Sequence, residues 1–441
     1  MASLFGLIST IIYYMKIVIL AAGKSTRFSG GQKIFAPFWG ARVIDVLLSR
    51  VAKLEAEVSL VLNADNFGDF GGESYNEIEK ILQEKNYGTG AAVQAVVEKS
   101  GTCDGMIVFP ADMPLIDSQI LLRFFGLNGG QNDVGCDVCV GIARMPEGFE
   151  QYGRIILNNG KLAKIAEFKD HPEKTDFINT GVIFLSAKAQ DLVTKLAENT
   201  YGEIFLTDIV ELAKMAGLKV DCIELDSAKM AGFNTQSEYS NLLNLAQKQF
   251  RQSAIDSGAI FLDSESVFLS FDTKFEPGAV VEPNCVFGPG VFVRSTAHIK
   301  PFSYVSNCDL SGIIGPFAHI RSGQVDQGAQ VGAFVEINRS KVAKMAKIKH
   351  LSYVGDSEIG ENANIGAGVV VCNYDGESKH KTNIGNRAFL GANSTLIAPI
   401  TIGSDAFLAA GSTYSQSVPD GEFSIAREQQ VIKTNWKKQP K

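Results

Sequence analysis

From Val281 to Leu408 an apolar residue returns every six positions. The series runs Val281, Phe287, Val293, Ile299 and Val305, then restarts at Ile314 and Ile320. It continues through Val325, Val331 and Ile337, through Val342, Ile348 and Val354, and through Ile359, Ile365 and Val371. After an interruption it resumes at Ile384, Leu390, Leu396, Ile402 and Leu408. Glycine follows many of these residues, as at Gly332, Gly355 and Gly391. A period of six with one apolar side chain pointing inward predicts a parallel β-helix. Each hexapeptide makes one flat side and one turn, and three close a coil of a triangular prism.

Register follows from this arithmetic. Ile320, Ile337, Val354 and Val371 stand 17 residues apart, one coil with a shortened side. Arg321 and Asn338 should therefore stack about 5 Å apart on one exterior column, and Glu336 and Tyr353 should share another. Arg339, next to Asn338, is expected on the opposite side of the strand, where it is a poor direct replacement for a cation at 338, and Lys341 is expected to reach around the corner. The polar tract between Val371 and Ile384 is expected to leave the prism at a corner, where stacked coils keep their ladder. A long loop on a regular scaffold is usually functional.

The first half has another grammar. Between residues 15 and about 235, "KIVIL", "VSLVL", "GMIVFP", "VCVGIA" and "GVIFL" read as strands, alternating with helical spacing in "GAAVQAVVEK" and "AKAQDLVTKLAEN". That alternation predicts an α/β, Rossmann-like domain on a mostly parallel mixed sheet. An uninterrupted amphipathic stretch then predicts a connecting helix. The expected boundaries are 15–236 for the first domain, 237–260 for the linker helix, 261–424 for the β-helix and 425–441 for a basic tail. Residues 1–14 are apolar without Lys or Arg and lead into Met15, which is expected to be the working start, so no membrane partner is expected. The 441 residues carry a net charge of −7, which argues against nucleic acid as a partner. Seven scattered cysteines, with a CxxC pair only at Cys136 and Cys139, read as free thiols of a cytoplasmic protein.

"LAAGKSTRF" directly follows the first strand. A small-residue turn there, Leu20, Ala21, Ala22 and Gly23, brings backbone N–H groups close to phosphates, and Arg27 and Lys33 supply charge for a triphosphate. Gly88, Thr89 and Gly90 open a helix where exposed backbone can bond a base edge. Asp112 ends a strand, placed to hold a hard divalent cation, with Asn234 as a second oxygen ligand. These stretches, in this order, resemble the sugar-nucleotide pyrophosphorylase family, as do "YGRII", Glu167 in "IAEFKD" and "INTGVIF". The resemblance implies attack of a sugar 1-phosphate on the α-phosphorus of UTP, with Mg2+, Arg27 and Lys33 neutralising charge. Gln83 and the Gly88–Gly90 turn would read uracil, while Gly153, Glu167, Asn179 and Asn234 would hold an acetamido sugar.

In the second half, "GPFAHIRSG", "VGAFVEINRS", "KHLSYVGD", "NIGAGVVVCNYDG" and "FLAAGS" are similar to the hexapeptide acyltransferases, whose prisms are left-handed. From Met15 onward the chain resembles bacterial bifunctional transferases that join this acetyl-CoA-dependent module to a uridylyltransferase. The resemblance implies acetylation of glucosamine-1-phosphate, then uridylyl transfer to N-acetylglucosamine-1-phosphate. An acetyl transfer to an amine needs a base, and imidazole titrates in the right range. Carried over by position, His350 is that base and Glu336 orients it. Arg321 binds the sugar phosphate, with Asn338 beside it, and Tyr353 and Asn364 contact the sugar. Asn373, Tyr374 and Lys379 lie by the acetyl group, and Ala392, Ala410 and Arg427 fall at positions associated with acetyl-CoA. A homotrimer is expected, because one flat prism face offers no deep pocket.

The chain departs from its family at Ser25 and Ala111, where glycine is usual, at Gln32, where proline is usual, and at Asn338, where lysine is usual. The first three bear on nucleobase and efficiency more than on reaction type. Asn338 removes one of two phosphate cations, which predicts weaker acceptor binding by about 1–2 kcal/mol. The alternatives left open are a hexose-1-phosphate nucleotidyltransferase with a structural or regulatory β-helix, a monofunctional acetyltransferase, and a non-catalytic trimerisation module.

Overall fold

The computed structural model describes residues 15–432 apart from 30, 55, 85–86, 125–134, 145–151, 167–174 and 201. The chain forms two compact units, Met1–Ala246 and Gln247–Lys441. The first is built on a nine-stranded sheet. In chain order its strands are β1 (Met15–Leu20), β2 (Glu57–Leu62), β3 (Glu79–Leu82), β4 (Gly105–Pro110), β5 (Val138–Arg144), β6 (Arg154–Asn158), β7 (Lys161–Ala166), β8 (Phe177–Ser186) and β9 (Val220–Glu224). Their spatial order is β9-β5-β8-β4-β1-β2-β3, with β6 paired to β8 and to β7. β1 runs parallel to both β2 and β4. β8 is antiparallel to β4 and β5, and β6 and β7 form an antiparallel hairpin.

Alternation along β1 explains why "KIVIL" is apolar throughout. Ile17 and Ile19 enter one hydrophobic cluster with Ile44, Leu47 and Val51 of helix α1 (Val43–Val51). Val18 enters another with Ala91, Ala92, Val93 and Val96 of helix α2 (Thr89–Ser100). A strand covered on both faces needs apolar residues at successive positions. Its carboxyl end, like that of β4, opens into the loops that carry the site.

A helix from Gln236 to Asp256 follows the first domain, and the boundary between the units falls within it. In the second unit its last turns close the end of the prism. The Gln247 amide donates to Leu269 O at 2.7 Å and accepts from Leu269 N–H at 3.0 Å. Arg251 donates to Val267 O at 3.4 Å, and Ala254 joins the prism core. These side chains satisfy backbone groups of the first rung, which has no coil beneath it.

The left-handed β-helix consists of three parallel sheets of 10, 8 and 8 strands. Every residue of the six-residue series is buried in one continuous core. Several corners take left-handed backbone, with φ near 55° at Phe302, Phe317 and Phe334 and 48° at Arg339. The 17-residue arithmetic holds: Arg321 pairs with Asn338, and Glu336 with Tyr353. Arg339 differs from its expected place. The strand ends at Asn338, so Arg339 is the corner itself rather than the next strand position.

Candidate active sites

The loops after β1 and β4 and the start of α2 surround a cleft of about 640 Å³ in the first unit. Leu20, Ala21, Ala22, Gly23, Arg27, Lys33, Gln83, Gly88, Thr89 and Asp112 line it. The glycine-rich turn is tied from β2's side, where Asn63 donates to Ala22 O at 3.0 Å and Asn66 to Ala21 O at 2.9 Å. Gly88 has φ 107°, and a Cβ there would lie 2.3 Å from Ile204 O, so only glycine fits. Gly90 is turned from the cleft. Its N–H is bonded to Ile204 O at 2.8 Å, which removes it as a donor to a base. Lys24 and Tyr87, not foreseen, face the cleft together, the ammonium 3.1 Å from the phenol oxygen.

The departures have local explanations. Ser25 has φ 52°, a conformation glycine adopts freely, and its hydroxyl accepts the Lys33 N–H at 3.2 Å. Gln32 accepts from Asn66 at 3.3 Å. Ala111 is buried, and its N–H bonds Leu20 O at 3.0 Å, so the extra methyl is absorbed by the core.

Asp112 and Asn234 converge on one point, which the Lys33 ammonium occupies. It pairs with the Asp112 carboxylate and donates to Asn234 Oδ1 at 3.1 Å and Phe233 O at 3.0 Å. Hard oxygen donors already gathered round a positive charge fit a divalent cation. Beside them a pocket of about 180 Å³ is lined by Tyr152, Asn179, Met113, Met230 and Asn234 among others. A β-bulge between Asn179 and Ile183 re-aims Asn179. Gly153 holds the Asn179 backbone through a 2.8 Å hydrogen bond. Burial and the Asp112 charge push the Tyr152 phenol upward, so it remains a neutral donor. Glu167 lies outside the described residues.

In the second unit, His350 ends a strand with its side chain exposed. Gly368 N–H donates to His350 O at 3.3 Å, Asn393 N–H to Ala367 O at 2.7 Å and Gly411 N–H to Ala392 O at 2.8 Å. That ladder stacks His350, Ala367, Ala392 and Ala410 along one corner. Arg427 folds onto the same column and donates to Ala410 O at 2.7 Å. Glu336 is engaged by Arg321 at 2.5 Å rather than by His350. Asn364 is half-buried, in register with Lys347 and Phe389 on the sheet that carries His350.

The extruded loop is a small hairpin, with Tyr374 bridged to Lys379. Asp375 accepts from the N–H groups of Glu377 and Ser378 at 2.8 and 2.7 Å and from His380 at 2.6 Å. Its base is fixed where Asn373 donates to Asp356. Asp356 also takes the Arg339 guanidinium side-on, through Nε and Nη2 at 2.7 and 2.8 Å. Arg339 was expected on the far side of the strand and Asp356 was not singled out, although the two stand 17 positions apart, one coil. Lys341 lies on the next face, paired with Gln324 and Glu358.

A family model described as a MobA-like NTP transferase domain matches residues 17–171, and one for the hexapeptide repeat of succinyl-transferase matches 381–413. The bifunctional protein GlmU of Jannaschia sp. (strain CCS1) is 37% identical over 95% of this chain and 94% of its own length. That of Wolbachia pipientis wMel is 37% identical over 94% of this chain and 97% of its own. That of Sphingopyxis alaskensis is 35% identical over 95% and 94%. Among the described residues no helix is long and apolar enough to cross a membrane. A nucleotidyltransferase unit and a hexapeptide unit, matched together over nearly the full length of both partners, place the chain in the family of bifunctional GlmU transferases.

Proposed function

We propose that the two reactions of this bifunctional transferase are carried by the two residue sets just described, one in each unit. The chain acetylates glucosamine-1-phosphate and then transfers a uridylyl group from UTP to N-acetylglucosamine-1-phosphate, releasing pyrophosphate. The observation that carries the reading is that two separate clusters stand on two units of a chain matched throughout by bifunctional relatives.

In acetyl transfer, acetyl-CoA is the donor. The sugar amine attacks the thioester carbonyl, an N–C bond forms and the C–S bond breaks. His350 takes the amine proton, which ends on the departing thiolate. Arg321 binds the acceptor phosphate. Glu336, which now holds Arg321, is released when phosphate replaces it and can then orient the imidazole. The small column Ala367, Ala392 and Ala410 leaves room for the coenzyme, with Asn373, Tyr374, Lys379 and Arg427 around it.

In uridylyl transfer, Gly23 and its neighbours offer backbone N–H groups to the triphosphate, while Lys33 and Arg27 bind its charge. Asp112 and Asn234 would hold Mg2+, which supplies charge neutralisation on the phosphate oxygens when bound. Asn179 and Tyr152 hold the sugar against Met113 and Met230.

The protein is a homotrimer of the cytoplasm in this reading. Below His350, Phe302, Phe317 and Phe334 stack at 5.0 and 5.1 Å along one corner, continued by Leu351, and all four are exposed. Such a ridge is characteristic of an interaction surface.

The test is one assay set on the purified protein. His350→Ala should abolish acetylation and spare uridylyl transfer, and Asp112→Ala should do the reverse. Loss of both activities from either change would contradict separate sites.

A further inference from the structure

We propose that Arg339 belongs to the acceptor-phosphate site and supplies, through Asn338, the second positive element beside Arg321. The inference rests on the acetyl-transfer reading above and names a residue that reading does not use.

Arg321 and Asn338 are paired on adjacent rungs. The chain then turns at Arg339, whose left-handed corner brings the guanidinium back over its neighbour. Nε and Nη2 grip the two Asp356 oxygens, and Nη1 donates to Asn338 Oδ1 at 3.0 Å. Asp356 is itself fixed by Asn373. The Asn338 amide is therefore clamped by its oxygen, and its Nδ2 makes no hydrogen bond among the described residues. One rung above stands Gly355, in register with Asn338. A Cβ there would lie 2.6 Å from Asn373 Nδ2 and 2.7 Å from the Tyr353 hydroxyl.

The place of the missing side chain is thus taken by the Asn373 amide and the Tyr353 phenol, which with the Asn338 amide as floor form a polar cradle. That floor donor is polarised by a guanidinium, and Arg321 lies one rung below. Converging N–H donors with two arginines match the oxygens of a phosphate monoester. In the free protein Asp356 is matched by Arg339 and Glu336 by Arg321, and Lys379 adds its charge beside Asp356. The weakening that a lone Asn338 predicts is offset from the corner.

The test compares R339N, R339K and N338K/R339N in steady-state acetyl transfer. Asparagine tolerates left-handed backbone, so R339N removes the charge without straining the corner. In R339N the KM for glucosamine-1-phosphate should rise about tenfold, with kcat and the KM for acetyl-CoA within about twofold. R339K keeps charge without the fork and should fall between wild type and R339N. A lysine at 338 should restore most of the loss, which a purely structural role for Arg339 would not permit. An unchanged acceptor KM in R339N, or no rescue by N338K, overturns the proposal. A rise in the acetyl-CoA KM instead assigns the charge to the coenzyme phosphate and overturns it equally. A wild-type protein that acetylates no glucosamine-1-phosphate fails earlier, at the reading of the site itself.

Discussion

The Lys33 ammonium sits on the Asp112 carboxylate, at the point where Asn234 Oδ1 and Phe233 O also converge. In the free protein this lysine occupies the seat that a divalent cation would take. It is expected to swing to the triphosphate when metal and nucleotide enter. Lys33→Met should therefore strengthen Mn2+ binding to the nucleotide-free protein, read by electron paramagnetic resonance. The same change should lower kcat for uridylyl transfer by about 10²-fold or more. Weaker Mn2+ binding in this variant would show that the lysine is not a competitor.

Gly88 permits a second prediction that separates the units. Its φ of 107° and the nearness of Ile204 O leave no place for a methyl group. Gly88→Ala should lower the melting temperature of the first unit and abolish uridylyl transfer. Acetyl transfer, on the other unit, should be retained within about twofold. The strain expected is of order 1–3 kcal/mol.

The β-helix was legible because its core rule is local: one inward side chain per rung, repeated until chance is excluded. Register followed from counting, which is why the pairing of Arg321 with Asn338 and of Glu336 with Tyr353 was legible in the sequence. What counting misses is the direction of long side chains. Glu336 turns to Arg321, and Arg339 folds across its corner to Asp356. In the first unit, strands buried on both faces were readable as apolar runs. β3 was not, since its four residues include Glu79 and Lys80, and Glu79 is spent on Lys16, Ser59 and Ser100. Gly90 shows the limit of motif reading, because its place beside Gly88 suggested a donor that packing had already used.

The corner ridge predicts how the protein associates. Phe317 and Phe334 lie 5.1 Å apart with rings nearly parallel, 45% and 60% exposed. Burying each fully is worth about 1.5–3 kcal/mol, and a carboxylate there would have to be buried instead. F317D/F334D should reduce the mass measured by light scattering from trimer to monomer. Acetyl transfer should fall with it, because Leu351 of the ridge adjoins His350, while uridylyl transfer should persist. A trimer retained by the double variant would place the interface on another face.

Acid should loosen the acceptor side in a defined direction. The Arg339 guanidinium holds the Asp356 carboxyl below its usual value, and backbone N–H groups with His380 do the same for Asp375. A carboxyl whose pKa is lower when folded stabilises the native state fully above its unfolded value, about 3.9. That contribution fades as pH falls through the folded value. Wild type and D356N should therefore differ in melting temperature by a constant amount between about pH 5 and 8. The gap should narrow steadily below about pH 3.9, where the unfolded wild type gains protons first. D375N should follow the same course, and its loss should also free the hairpin that carries Lys379. A gap that instead widened on acidification would mean that Asp356 is harder to ionise in the folded protein, and the Arg339 clamp would not stand.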